Sequence, residues 1–426
     1  MKPAILGAIV ALALFCVSVD AQKAAAVGDK IFGIAKLHKI RLTISAAEWA
    51  VLQSSNARNG GATGGTDYRL ADGRLIHVGS GFAGYFPWAH ADVRMDDTAG
   101  LGLKAEFKDV GIRYKGNFSF TSSSAAAPLF ANFKLKIDLH GTRGSWDGEK
   151  TLNFQAGVLD QSRMKEALGF AIFRAAGVPA SRTAYAELIF TVPGLYQDVP
   201  GGLYTMVEDV NGRFLERELP PGTGLIMKPE GLRGGILSKG NSWPDYVTAL
   251  RPDRDATPRE QKHIMEFSQL VSQTDVPLFR SKIGTYLDVD EFLRFIAVNA
   301  FIVNTDSYIG GGHNYYVYLD PKVDKVRFIP WDLDLSMGGR NGINGFDLLK
   351  PYSNEQALIY WLLDDPAVMA RYREILKELA TTAFSPAAIT TLVDSVEKVG
   401  TGRYGSPRAF LEGRAAYAQQ LVAGWK

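Results

Sequence analysis

Three side-chain oxygens that could share one cation lie within a short stretch of the chain. They are Asp306 in Asn304-Thr305-Asp306-Ser307-Tyr308, Asn314 in His313-Asn314-Tyr315-Tyr316-Val317-Tyr318, and Asp332, followed by Asp334, in Trp331-Asp332-Leu333-Asp334. The runs Asn314–Tyr318 and Val326–Trp331 read as two strands, and Asp320-Pro321 between them opens a turn. An antiparallel hairpin centred there sets Asn314 against Trp331 and His313 against Asp332, within one residue, with opposed Cβ atoms about 4.5–5.5 Å apart. Asn314 and Asp332 then share its open end. Asp306 arrives at the same end because the connection to Asn314 is short and carries Gly310, Gly311 and Gly312. Carboxylates and an amide oxygen gathered in this way repel one another unless a cation is present. A hard, oxygen-seeking ion such as Mg²⁺ or Mn²⁺ suits them, with phosphate oxygens filling its remaining positions. The place of Asp334 stays open, since it shares a face with Asp332 only if the strand continues. Asp320 and Asp324 read as exposed turn acids, and Trp331, Leu333 and Leu335 as core.

A loop acid, an Asn further on, a hairpin and an Asp at its far end is the order used by phosphotransferases of the protein-kinase kind. There the first Asp accepts the proton of the substrate hydroxyl, and the Asn and second Asp hold Mg²⁺ against the nucleotide phosphates. That chemistry needs a strand lysine for the phosphates and a helix glutamate to hold it. Phe133–Leu139 alternates strictly, with Lys134 and Lys136 on its polar face. Downstream, Glu166 sits beside Phe170 and Phe173 on a helix that Asp160 or Ser162 can cap and Gly177-Val178-Pro179 stops. A carboxylate in such surroundings is costly unless paired. Either lysine could be its partner, and Lys134 is favoured.

The elements that must position these residues fall into two halves. The first offers strands at Ile40–Ile44, Phe86–Arg94, Val110–Tyr114, Phe133–Leu139, Thr183–Phe190 and Gly202–Val207, a short helix capped by Ser45, and the Glu166 helix. Ser54–Gly84 reads as long loops or an irregular hairpin insertion. The second half is mainly helical, with helices at Gln261–Gln273, Val289–Val303, Glu355–Leu363, Val368–Ala380, Pro386–Val399 and Pro407–Val422 around the single hairpin. With 426 residues, 46% of them hydrophobic, the chain has ample core. Its 47 Lys+Arg against 45 Asp+Glu give no electrostatic case for nucleic acid. Phosphate-loop, nucleophile-elbow and H-E-x-x-H motifs are absent, and the histidines never pair at ligand spacing. The apolar run Ala4–Val19 after Lys2, ending at Val19-Asp20-Ala21, reads as an export signal over residues 1–21, followed by a linker over 22–36. It is too short to span a bilayer comfortably, and no later run replaces it. The chain is therefore expected to be exported, to the periplasm or to the cell surface and beyond. Its one cysteine, Cys16, lies inside that segment, so the mature chain is expected to hold no disulfide, thiol nucleophile or Cys-bound zinc.

In sequence order the motifs are Val110-Gly-Ile-Arg-Tyr-Lys-Gly-Asn-Phe-Ser119, Lys134-Leu-Lys136, Asp160-Gln-Ser-Arg-Met-Lys-Glu166, Gly177-Val-Pro-Ala-Ser-Arg182, Gly202-Leu-Tyr-Thr-Met-Val-Glu208, Leu225-Ile-Met-Lys228, Asn304-Thr-Asp306, His313-Asn-Tyr-Tyr-Val-Tyr318 and Trp331-Asp-Leu-Asp334. Together they resemble the CotH kinase family, the spore-coat-protein-H-like atypical kinases, from about Lys36 to the C-terminus. The resemblance implies an α+β, divergent two-lobed protein-kinase-like fold. Its strand-rich N-lobe, residues 37–207, would hold one key helix, and its mainly helical C-lobe, residues 208–426, would contain the catalytic hairpin. It also implies transfer of the γ-phosphoryl of ATP to hydroxyls, Ser or Thr, of an unidentified protein substrate with Mg²⁺ or Mn²⁺. Carried over by residue, Asp306 is the catalytic Asp, and Asn314 with Asp332 or Asp334 holds the metal. Lys134 or Lys136 is the phosphate lysine and Glu166 its partner. Met206 to Glu208 is the inter-lobe segment that meets the adenine. The turn Lys115-Gly116-Asn117-Phe118-Ser119 covers the phosphates, with Lys115, Gly116 and Asn117 as its binding residues, and Lys228 joins the nucleotide-binding set. The family usually has Arg-Gly-Asn-Ser-Ser at this turn; here Phe118 replaces a small hydroxyl residue. Some family members act as host-binding surface proteins, so a surface or adhesion-type binding protein that keeps the fold without catalysis is the alternative.

Overall fold

A computed structural model describes residues 26–55, 66–69, 75–78, 86–98, 100–116, 134–139, 144–229, 236–338, 345–352, 356–399 and 405–425. The expected export segment, Asn117, Phe118 and the side chain of Lys134 lie outside the described residues.

The first half begins with β1 (Leu37–Thr43) and α1 (Ala46–Gln53), whose first turn is capped by the Ser45 hydroxyl accepting from the Glu48 amide. A small antiparallel sheet of β2 (Thr66–Arg69), β3 (Leu75–Val78) and β4 (Phe86–Pro87) lies within and just after the stretch read as loops or an irregular hairpin. Next come β5 (Ala89–Asp96), β6 (Ala105–Lys115), β7 (Lys134–Asp138), β8 (Thr151–Gln155), α2 (Lys165–Ala175), β9 (Thr183–Val192) and β10 (Tyr196–Val207). Seven of these strands close into a barrel in the order β1-β5-β6-β7-β8-β10-β9. Closure depends on β1 running parallel to β9, Leu37 beside Tyr185; the other neighbours are antiparallel. Alternation explains the barrel interior. Ile40, Leu42, Val93, Ile112, Tyr114, Ile137, Phe154, Tyr204 and Met206 turn to one face and form a single apolar cluster. The opposite face of β6, β7, β8 and β10 carries Arg113, Lys115, Lys136, Asn153, Gln155 and Thr205.

The second half consists of α3 (Gly212–Glu218), β11 (Leu225–Met227), α4 (Trp243–Leu250), α5 (Pro258–Ser272), α6 (Val276–Tyr286), α7 (Val289–Phe301), β12 (Tyr315–Asp320), β13 (Lys325–Pro330), α8 (Ala357–Leu363), α9 (Pro366–Thr381), α10 (Pro386–Glu397) and α11 (Arg408–Ala423). A second apolar core gathers these helices, the β11-β12-β13 sheet and α2. The helix bearing Glu166 therefore belongs by packing to the helical half, although the chain enters and leaves it from barrel strands.

The hairpin has the expected register: Tyr315 pairs with Pro330 and Tyr316 with Ile329, and the Trp331 amide donates to the Asn314 carbonyl at 3.2 Å. Three contacts fix it in place. From α7, Glu291 accepts the Phe328 amide at 3.1 Å. Phe328 itself packs among Phe292, Phe295, Tyr308 and Tyr315. From α2, Phe170 meets Trp331, and Gly169 lets the helix approach Leu333 so closely that an added Cβ would stand 2.8 Å from Leu333 Cδ1. Trp331, Leu333 and Leu335 are buried, as expected of core. Asp320 corrects the expectation of an exposed turn acid. It is 2% exposed, capping the turn through the Lys322 amide and accepting from Arg327 Nε at 3.0 Å.

Candidate active site

The open end of the hairpin brings Asp306, His313 and Asn314 into direct contact. Asn314 Nδ2 donates to the Asp306 carbonyl at 2.8 Å and to Asp306 Oδ2 at 2.9 Å, while His313 Nε2 lies 3.1 Å from Asp306 Oδ1. Each carboxylate oxygen of Asp306 thus has a fixed neighbour, and the Asn314 amide is turned so that its oxygen points away from Asp306. Burial opposes the charged form of His313, but the Asp306 hydrogen bond and charge, the Gly311 carbonyl and Asp332 outweigh it and raise its pKa. The loop is tight: a Cβ on Gly310 would run into the Thr305 carbonyl.

Three strained backbone positions lie around this end. Val303, Asn314 and Asp332 have φ of 51°, 57° and 53°, in the left-handed region that L-residues rarely adopt. For the β-branched Val303 this is a true outlier. Such residues persist only where the surrounding structure over-determines them, and they cluster at functional sites. At Asp332 the chain turns out of β13, so Asp332 is partly exposed whereas Asp334, two residues on, is 4% exposed and close enough to Lys165 for their charges to interact.

Trp331 joins the acids to the cations. The Lys115 ammonium lies 5.2 Å from the centre of its ring and the Lys228 ammonium 5.6 Å, with Lys228 also 5.5 Å from Tyr316. One lysine comes from the end of a barrel strand, the other from just beyond β11, and both meet on the residue that precedes Asp332. Gly116, with φ of 87°, follows Lys115 directly. Among the described residues no three His, Cys, Asp or Glu side chains are grouped to hold a metal on their own. The donors on hand are the Asp332 and Asp334 carboxylates and the Asn314 amide oxygen. This set fits a hard ion that takes one or two carboxylates and leaves its other positions to phosphate.

Residues 112–401 match the CotH kinase protein family. The chain belongs to that family. Among curated relatives it is 22% identical over 306 residues to inner spore coat protein H of Bacillus subtilis, covering 69% of this chain and 78% of that protein. It is also 22% identical over 249 residues to invasin CotH7 of Rhizopus delemar, covering 55% of this chain and 40% of the relative. Among solved structures, the Shewanella oneidensis toxin–antitoxin complex of HipA, HipB and operator DNA aligns over 65% of this chain and 61% of that one, at 12% identity and a TM-score of 0.32. CotH membership assigns a kinase-like, mixed α+β fold to the chain.

Other residues marked by the CotH pattern are placed differently. Glu166 is fully buried in the first turn of α2. Met206 points into the barrel, and its neighbours across the sheet are Phe154 and Ala184. The Glu208 carboxylate is taken up by Arg182 and Arg217, 2.6 Å from each, and its amide by the Arg182 carbonyl. The side chains of Met206 and Glu208 therefore face away from the Trp331 cluster. Next to them stand two residues that the motif reading passed over. Asp209 accepts from Asn153 Nδ2 at 2.8 Å, and Asn153 Oδ1 accepts from Lys115 Nζ at 3.1 Å. The sequence signal for Asp209 was only an acid one position past the recognised motif, and for Asn153 a polar residue on the same strand face as Gln155.

Proposed function

We propose that this CotH-family chain is an exported atypical protein kinase that moves the γ-phosphoryl of ATP to a Ser or Thr hydroxyl of a protein. The reading rests on one observation above all: Asp306 is clasped by Asn314 and His313 at the hairpin end that also bears Asp332, beside two lysines gathered on Trp331. In this reading two lobes, one built on each hydrophobic core, meet after Val207 and enclose the nucleotide. Lys115 and Lys228, with Lys136 from β7 and Lys134 beside it, draw the phosphates toward Trp331. A divalent ion held by Asn314 with Asp332 or Asp334 would supply charge neutralisation at the transferring phosphoryl group. Asp306, oriented from both sides, accepts the hydroxyl proton as the hydroxyl oxygen bonds to the γ-phosphorus and the bond from that phosphorus to the bridging oxygen breaks, releasing ADP. Glu166 steadies the phosphate lysine from α2.

The test is a titration of the chain with ATP, with and without Mg²⁺ or Mn²⁺, followed by transfer of labelled γ-phosphate to candidate proteins. Saturable, metal-dependent binding lost in Asp332→Ala supports a phosphotransferase, and transfer lost in Asp306→Ala supports the assigned base. The printed name of the Rhizopus relative favours a second reading, a surface protein that binds without catalysis. That reading requires the unmodified chain to bind no nucleotide with any divalent ion.

A further inference from the structure

Asp209 is a carboxylate held unusually firmly for a residue outside any strand or helix. It lies just past the end of β10, after Glu208, and Asn153 stands beside it because β8 pairs Asn153 with Val207. The Asn153 amide is fixed at both ends, its nitrogen on Asp209 and its oxygen on Lys115. Asn211 is fixed as well: its oxygen caps α3 through the Arg213 and Phe214 amides, which leaves its nitrogen to donate to Asp209. Burial works to raise the Asp209 carboxyl, but the Lys136 charge, the Asn153 hydrogen bond, the Lys115 charge and the Asn211 hydrogen bond outweigh it and hold the pKa below its ordinary value.

The arrangement answers a problem set by the barrel. Lys115 ends β6, Lys134 opposes it on β7, and Lys136 follows two positions later on the same face. Lysines this close repel one another and swing toward solvent unless an anion gathers them. Glu166 lies on α2, whereas Asp209 lies at the other side of β8, on the segment that leaves the barrel for the helical half. We propose that Asp209 is a positioning residue for the triphosphate: through Asn153 it keeps the Lys115 ammonium over Trp331, and by its own charge it keeps Lys136 turned to the same place. This assignment rests on the nucleotide reading above. It makes the inter-lobe connection itself, and not only α2, responsible for aiming the phosphate lysines.

The experiment compares binding of MgATP and of adenosine to the full chain and to Asp209→Asn, which keeps the size and one acceptor oxygen but removes the charge. MgATP affinity is expected to fall by about tenfold or more, the scale of one lost charge-assisted contact, with adenosine affinity unchanged. Asp209→Glu should restore part of the loss, and Lys115→Met should cost less in the Asp209→Asn background than alone. Equal MgATP binding by the unmodified chain and Asp209→Asn overturns the assignment, as does a parallel loss for adenosine, which marks a merely structural role. If the unmodified chain binds neither probe, the nucleotide reading itself fails and this assignment falls with it.

Discussion

Glu291 offers a direct test of how the hairpin is held. Its carboxyl is 6% exposed on α7 and accepts the Phe328 amide from β13. Burial pushes its pKa up to about 8 from 4.5, against the opposing pull of the Phe328 hydrogen bond and the Arg327 charge. The folded protein thus keeps a proton that the unfolded chain releases above about pH 4.5. In that window the unfolded state binds fewer protons, so stability falls as pH rises, by ~1.4 kcal/mol per pH unit until the folded pKa is passed. Between about pH 5 and pH 8 the loss from this group approaches ~4 kcal/mol by the same arithmetic. Glu291→Gln can still accept the Phe328 amide but carries no titrating proton. Urea titrations of both proteins across this range should therefore give similar stabilities near pH 5 and a variant more stable by several kcal/mol near pH 8. Glu149, raised to about 7 by burial and by Glu208, slopes in the same direction in both proteins and cancels in the difference. Parallel curves for wild type and Glu291→Gln would refute the argument that this helix holds the hairpin through a neutral acid.

Further outcomes follow from other contacts. Asp306→Asn should lower phosphoryl transfer by about 10²–10⁴-fold while leaving MgATP affinity within a few-fold, measured by labelled-phosphate transfer and calorimetry. Arg182→Met strips partners from two buried carboxylates, Glu208 and Glu149, and should cost ~3–5 kcal/mol in urea unfolding. Gly169→Ala should cost ~1–3 kcal/mol by overpacking against Leu333, and should weaken metal-dependent nucleotide binding because Leu333 sits between Asp332 and Asp334.

How much the sequence disclosed depended on how local each feature was. The hairpin register was readable because an Asp-Pro turn and two alternating runs define it within a few residues. The Glu166 helix was readable from its stripe and its stop. Asp320 was misjudged because its turn position was read as exposure, although the register itself sets Arg327 on the same hairpin face, where its Nε donates to Asp320. The direction of Met206 follows from strand parity, since it shares the inward face with Tyr204; Glu208 lies past the end of β10 and meets Arg182, just before β9, and Arg217 of α3. Asn153 and Asp209 become neighbours only when β8 docks beside β10, a pairing no local motif announces. The closed barrel was equally out of view. Its last seam joins β1 to β9, and nothing in either strand names the other.

That seam also has a consequence for how the chain is made. One edge of β1 stays uncovered until β9, far later in the chain, is available. Pairs so distant in sequence close slowly, because the loop entropy must be met before the contacts repay it. The barrel can therefore complete only after most of the first half is present.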